Sequence, residues 1–344
     1  MTLQEKIKLI CDAYGVSGDE FAISPLVADI LKEYCDQVEI DEMGNCVGYR
    51  YSGKPGAKKI MMDAHIDQIG LIVSDITKEG FLRVVGIGVD PRMMPGNEMV
   101  VITRKHGNLY GVCATMPPHL QSGDKTKAMP LSDCVIDVGM DYDQVVKMIQ
   151  PGDYVAFAGR VMDLGKDKLC GKALDDRACL CCTVHALDLL KGKEIEHDLI
   201  VCASVKEEVG GHGAQMRVFK DRPDLAIAID VTHAVTPDSK HILRIKEMNE
   251  GPVVSIGSNA TPKLARRALQ LAKEQGIKVQ PTATPAGSGT NAWTMQVIDQ
   301  GCASMVISLP EKYMHTPVEV LSMQDVRSTG ALLAAIAQDG RFFD

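Results

Sequence analysis

Apolar positions at the start of the chain recur at helical spacing. Leu3, Ile7 and Ile10 fall on one side, which predicts an amphipathic helix over Met1 to Tyr14. Ser24 followed by Pro25 reads as a cap and first turn of a second helix, running to about Tyr34. Alternating apolar positions in Val38-Glu39-Ile40 and Cys46-Val47-Gly48-Tyr49, joined through Glu42-Met43-Gly44-Asn45, predict a hairpin. Lys59-Ile60-Met61-Met62-Asp63-Ala64 reads as a buried strand that runs straight into His65-Ile66-Asp67.

The texture changes between Ser74 and Met162. Short alternating runs (Phe81 to Val85, Glu98 to Ile102, Asp153 to Phe157) are separated by Gly, Pro and Asn, and only Tyr142 to Ile149 looks helical. That is the pattern of a small β-rich domain. Beyond Met162 strands and helices alternate. Strands are expected at Leu199 to Val205, Leu225 to Asp230, Ile277 to Gln280 and Ala303 to Leu309, and helices at Asp176 to Lys191, Pro262 to Gln275, Asn291 to Ile298 and Met323 to Ala337. The alternation predicts an α/β fold with a mostly parallel mixed sheet flanked by helices. The strands before Ser74 suit the same sheet, so residues 1–73 and 163–344 form the α/β domain and residues 74–162 an inserted β-rich domain.

Composition narrows the classes. The chain has 344 residues, 45% of them apolar and 24% charged, as expected of a globular protein of one large or two moderate domains. A net charge of −8 argues against nucleic acid or an anionic membrane as partner. No apolar run approaches the length of a membrane span. The Met1 to Tyr14 segment lacks the basic start, apolar block and cleavage site of a signal peptide. Eleven Cys without an export signal point to reduced thiols and a cytoplasmic location. Cys179, Cys181 and Cys182 lack a second suitably spaced pair, so they read as small apolar residues on a helix packed against the sheet.

Chemistry-bearing residues gather where the predicted strands end. His65 and Asp67 follow the Ile60 strand, Glu207 and Glu208 the Leu199 strand, Asp230 closes the Leu225 strand, and His315 follows the Ala303 strand after a short loop. Asp175-Asp176 sits just before a helix. Sites in open α/β sheets lie at such carboxyl ends. Each residue also has an ordinary reading: a solvated turn for Glu207-Glu208, helix capping for Asp175-Asp176, a surface or satisfied core residue for either His. The alternative is a nearby positive charge, most simply a metal, with one Glu left for proton transfer.

The motifs Asp63-Ala64-His65-Ile66-Asp67-Gln68-Ile69-Gly70, Gly171-Lys172-Ala173-Leu174-Asp175-Asp176-Arg177, Val205-Lys206-Glu207-Glu208-Val209-Gly210, Ile229-Asp230-Val231-Thr232-His233 and Tyr313-Met314-His315-Thr316-Pro317-Val318-Glu319 resemble, in order and over nearly the whole chain, the glutamyl-aminopeptidase family of di-metal metallopeptidases. That family includes the tetrahedral aminopeptidases, and some members carry an "endoglucanase M" label. The resemblance implies a zinc-exopeptidase-like fold and two divalent metal ions per subunit, zinc or cobalt, held by His65, Asp175, Glu208, Asp230 and His315, with Asp175 bridging. Asp67 would orient the His65 ring, and Glu207 would be the general base, drawing a proton from metal-bridging water and returning it to the leaving amine.

The chain departs from the family pattern at three places. Cys179 stands where Gly is usual, Gly211-His212 where Leu-Arg is common, and Asn291 where Asp usually ends the glycine loop near the substrate pocket. His212 and His233 lie close to the expected ligands but read as supporting residues, because the ligand set is already full. In the β-rich insertion, expected to be a dimerisation domain, Pro117-Pro118-His119-Leu120 resembles family members; His119 is expected in loop packing and not as a ligand. The resemblance further implies short peptide substrates and homodimers assembling into a hollow dodecamer. The leading expectation is a cytoplasmic metal-dependent aminopeptidase. Beside it stand a di-metal deacylase of small N-acylated amino acids and a non-catalytic metal-bound assembly protein. A glycosidase is disfavoured, since no separate pair of catalytic acids is left over.

Overall fold

The computed structural model describes residues 1–116, 119, 128–239 and 245–344. Pro117, Pro118 and Leu120 of the family-like stretch lie outside the described residues.

Four parallel strands form the middle of an eleven-stranded mixed sheet, in the spatial order Asp198–Ser204, Lys59–His65, Leu225–His233 and Ala303–Lys312. Their residues are buried almost end to end, which is why the sequence shows near-continuous apolar runs there. Antiparallel pairs extend the sheet at both edges, including the predicted hairpin of Gln37–Ile40 with Cys46–Arg50. Helices Leu174–Leu189 and Met323–Gln338 cover one face and share its core with the amino-terminal helix Leu3–Asp12. Cys179, Cys181 and Cys182 are buried in that core as free thiols.

Six further strands, all between Gly70 and Phe157, close into a small barrel. Its own core includes Leu71, Val84, Met99, Ile136, Val155 and Phe157, separate from the core of the large sheet. The first barrel strand, Gly70–Ile76, starts directly after the loop that follows His65.

Some expectations shift. Ser24 is the first residue of its helix, with Ile23 in the capping position; the Ser24 hydroxyl instead donates to the carbonyls of Glu20 and Gly44. The strand expected at Ile277 to Gln280 lies at Gln280–Thr284, on the sheet's edge, where Pro281 needs no ladder partner for its nitrogen. A helix at His212–Asp221 and the strands Lys168–Gly171, Val253–Gly257 and Glu319–Ser322 have no counterpart in the sequence reading. Among the described residues no helix is long and apolar enough to cross a membrane.

The parallel register has one consequence for chemistry. His65 pairs with Ser204, and Asp230 with Ser308, so the carboxyl ends of all four strands finish at one rim.

Candidate metal centre

Three loops and two strand ends supply the residues at that rim. The Lys59–His65 strand delivers His65, which is buried, as its last residue. The Asp198–Ser204 strand ends just before the Lys206-Glu207-Glu208 turn, and Asp230 sits in its strand two residues beyond Ala228. Asp175 and Asp176 open the 174–189 helix in non-helical conformation, joined by a cis peptide bond. His315 lies in the loop between Ala303–Lys312 and Glu319–Ser322.

Positive φ marks this rim. Ala173 (54°), Lys206 (60°), Tyr313 (62°) and His315 (61°) adopt left-handed backbone, which costs a non-glycine residue free energy and collects at sites where geometry is imposed. Gly211 does the same at 71°, and a Cβ there would approach Asn291 Oδ1 to 2.6 Å, so a side chain is excluded twice over.

The five expected ligands converge. Donor atoms of His65, Asp175 and Asp230 lie within 4.8 Å of one another, as do those of Asp175, Glu208 and His315. Asp175 belongs to both groups. Its Oδ1 faces His65 Nε2 at 3.2 Å and its Oδ2 faces His315 Nε2 at 3.1 Å. Glu208 reaches His315 Nε2 at 3.4 Å, and Glu207 stands 3.9 Å from His65 Nε2. On its far side the His65 ring meets the Asp67 carbonyl at 3.0 Å and the Asp67 carboxylate at 3.4 Å.

So much negative charge at low exposure perturbs every group. Burial, reinforced by the charges of neighbouring acids, raises the carboxyls of Glu207, to about 7, and of Glu208 and Asp230. Asp175 moves the other way: its two imidazole partners outweigh burial and hold it low. Contact with the carboxylates of Asp175 and Glu208 pushes His315 up to about 11, and Asp175 and Asp67 raise His65 against its own burial.

Asp175 Oδ1 and Glu208 Oε1 are buried and make no hydrogen bond, although buried polar atoms ordinarily find a partner. Orphaned carboxylate oxygens beside two imidazoles are what a divalent cation would satisfy, so the residues fit the expected metals.

Several supporting residues escaped sequence reasoning. Glu319, within a quoted motif but given no task, accepts from Leu174 N at 2.7 Å and Asp175 N at 3.2 Å with one oxygen, and from His315 N at 3.1 Å with the other. It thereby clamps two ligand-bearing loops together. Asp176 accepts from His65 N at 3.1 Å. Arg177 and Lys172, both buried, donate to carbonyls in the 10–15 segment behind the site.

The acids open into a cleft of about 260 Å³ whose far wall includes Ser288, Gly289 and Thr290. A larger cavity of about 630 Å³ adjoins it across Val231, Thr232, His233 and Met314. Asn291 lines neither: its Nδ2 donates to Asp63 Oδ2 at 2.8 Å and Ser204 Oγ at 3.1 Å, beneath the strand ends. Its departure from Asp therefore spares Asp63 a second buried carboxylate and does not change the cavity wall. His233 lines the cleft, and His212 starts the 212–221 helix away from it.

The sequence model of the M42 glutamyl aminopeptidases matches residues 44–332. A lysyl aminopeptidase of Pyrococcus furiosus is 37% identical, the match covering 97% of this chain and 96% of that protein. An aminopeptidase from the archaeon Desulfurococcus kamchatkensis superposes with a TM-score of 0.91 at 34% identity, covering 99% of this chain and 96% of its own. A TET peptidase of Pyrococcus horikoshii, described as assembling into a tetrahedron or a large octahedral shell, superposes with a TM-score of 0.86 at 30% identity, covering 98% of this chain and all of that one (100%).

Proposed function

The chain belongs to the M42 glutamyl aminopeptidase family, and from that premise we propose that it is a metal-dependent aminopeptidase that removes amino-terminal residues from short peptides. The observation that carries the metal centre is the pair of donor groups sharing Asp175, with buried carboxylate oxygens left unbonded.

In this reading His65, Asp175 and Asp230 would hold one divalent cation, and Asp175, Glu208 and His315 the other. Two such ions, zinc or cobalt by their mixed imidazole and carboxylate donors, would polarise the scissile carbonyl and lower the pKa of the attacking water. Asp67 keeps the His65 ring oriented and its outer nitrogen occupied. Glu207, adjacent to a ligand but in neither donor group, takes the proton from the attacking water and returns it to the leaving amine. The adjoining cavity receives the side chain of the residue removed.

The inserted barrel would pair two subunits, and the dimers would build a closed shell like that of the Pyrococcus horikoshii peptidase. Such a shell admits short peptides and excludes folded proteins.

The test is hydrolysis of aminoacyl anilides by the purified protein with added zinc or cobalt, run beside N-acylated amino acids. Release from free-amine substrates supports the proposal. Turnover of the N-acylated ones alone identifies a deacylase, and no turnover despite bound metal points to an assembly protein.

A further inference from the structure

At the end of the Asp198–Ser204 strand, four successive backbone amides are held by side chains from elsewhere in the chain. Val205 N donates to Asn45 Oδ1 at 3.0 Å and Lys206 N to Glu20 Oε1 at 3.1 Å. Glu207 N and Glu208 N donate to the two oxygens of Asp67 at 3.1 and 3.2 Å. A strand leaving its sheet would ordinarily pass such amides to water. Here the turn is fixed atom by atom, with Lys206 in left-handed backbone at its centre.

The Lys206 contact spans 186 residues of sequence and is made by a carboxylate that is only 1% exposed. Glu20 begins a short helical turn, Glu20–Ala22, in the segment that also packs against the loop after His65. Gln68 N donates to Gly15 O at 3.0 Å, Ser17 N to Gln68 O at 3.3 Å, and Ser17 Oγ to Asp67 Oδ2 at 2.6 Å. The buried Arg177 holds the same segment through Ala13 O and Gly15 O. Residues 13–20 therefore form a brace behind the rim, and Glu20 is the point at which the brace grips the Lys206 turn.

Burying a carboxyl costs free energy, and Glu20, kept at 1% exposure, meets amides of its own turn, Gly18 and Glu20, and one amide from across the chain, that of Lys206. The amide belongs to the residue just before Glu207. Asp67 holds the amides of both Glu207 and Glu208, and the left-handed Lys206 peptide just before them sets the direction in which Glu207 leaves the strand. We propose that Glu20 is a positioning residue for the general base: by holding Lys206 N it fixes the turn that aims Glu207 into the cleft. This rests on the reading of Glu207 as the base, and its test separates the two claims.

Glu20→Asp withdraws the carboxylate by one methylene while keeping its charge, and Glu20→Gln keeps the length and an acceptor oxygen. Steady-state kinetics on an aminoacyl anilide, bound metal per subunit by plasma emission spectrometry, and thermal melting are measured for both, for Glu207→Gln, and for Glu20→Asp combined with Glu207→Gln. For Glu20→Asp we expect kcat to fall about 10- to 100-fold, the loss that follows misplacement of a reacting group by about 1 Å, with KM and metal content unchanged. Glu20→Gln restores most of kcat. In the Glu207→Gln background Glu20→Asp has no further effect, because a residue that acts through the base cannot matter once the base is gone.

A folded Glu20→Asp with wild-type kcat overturns the proposal. So does a kcat loss that repeats undiminished in the Glu207→Gln background, or one that travels with lost metal. Full activity in Glu207→Gln alone sinks the general-base reading and this inference with it, whereas an inactive Glu207→Gln beside a fully active Glu20→Asp sinks only the inference.

Discussion

Two clusters of acids among the described residues, one around Arg217 and one at the strand-end rim, differ in what balances them. Around Arg217, which is wholly buried, Glu39, Asp41 and Asp221 approach the guanidinium at 2.8, 3.3 and 2.8 Å, and the Tyr49 hydroxyl joins them. Every carboxylate there pairs with the guanidinium, and Lys220 adds a second cation at Glu39. At the strand-end rim Asp175, Glu207, Glu208 and Asp230 crowd together with only imidazoles for company, and two carboxylate oxygens have no hydrogen bond. The contrast teaches how to read a buried acid. A compensated cluster is architecture, and an uncompensated one is held ready for a cation from outside.

The largest effect that could break this contrast is removal of metal. Chelation should abolish anilide hydrolysis, by about 1,000-fold or more if two Lewis-acid centres are lost, and added zinc or cobalt should restore it. Activity that survives exhaustive chelation would place the rim in the same class as the Arg217 cluster. Next is Glu207→Gln, which should lower kcat by about 100- to 10,000-fold while leaving metal content and melting temperature at wild-type values, measured by steady-state kinetics and calorimetry.

The clusters should also respond with opposite sign to the loss of a partner. Arg217→Ala strands three acids and should cost about 3–5 kcal/mol in urea unfolding without changing bound metal. Asp230→Asn, made in the metal-free protein, removes a carboxylate that burial and the charges of Asp175 and Glu207 disfavour, and should leave the unfolding free energy unchanged or raise it. A marked loss of stability in metal-free Asp230→Asn would mean that the rim is internally balanced after all. A smaller loss than that of Arg217→Ala is expected at the turn between the clusters: Gly211→Ala, forced into left-handed backbone against Asn291, should cost about 1–2 kcal/mol by thermal melting.

The rim was legible in the sequence because each buried strand is an apolar run that ends abruptly in charge. Ile60 to Ala64 giving way to His65, and Leu199 to Ser204 giving way to Glu207-Glu208, marked both the strand and its functional end. The supports were not legible. Glu20 opens a short helical turn and Asn45 sits in a hairpin loop, and nothing local says that they reach amides 186 and 160 positions away. The 212–221 helix was hidden by Gly210 and Gly211, which read as a turn and are one, with the helix starting immediately after. The Gln280–Thr284 strand was displaced in the reading because Ile277 and Val279 have the stronger β preference, while an edge position tolerates Pro281. Local pattern thus marked where acids end strands, and only the fold revealed which of them have partners.

If the uncompensated rim is a two-metal centre sharing Asp175, its ligands decide how many ions each subunit binds. Metal content per subunit, measured by plasma emission spectrometry on the wild type, Glu208→Gln, Asp230→Asn and Asp175→Ala after equilibration with zinc, tests it most directly. Two zinc ions are expected in the wild type, one in each of the first two variants and none above trace in Asp175→Ala. A wild type that takes up no zinc, or an Asp175→Ala that keeps the full complement, would contradict it.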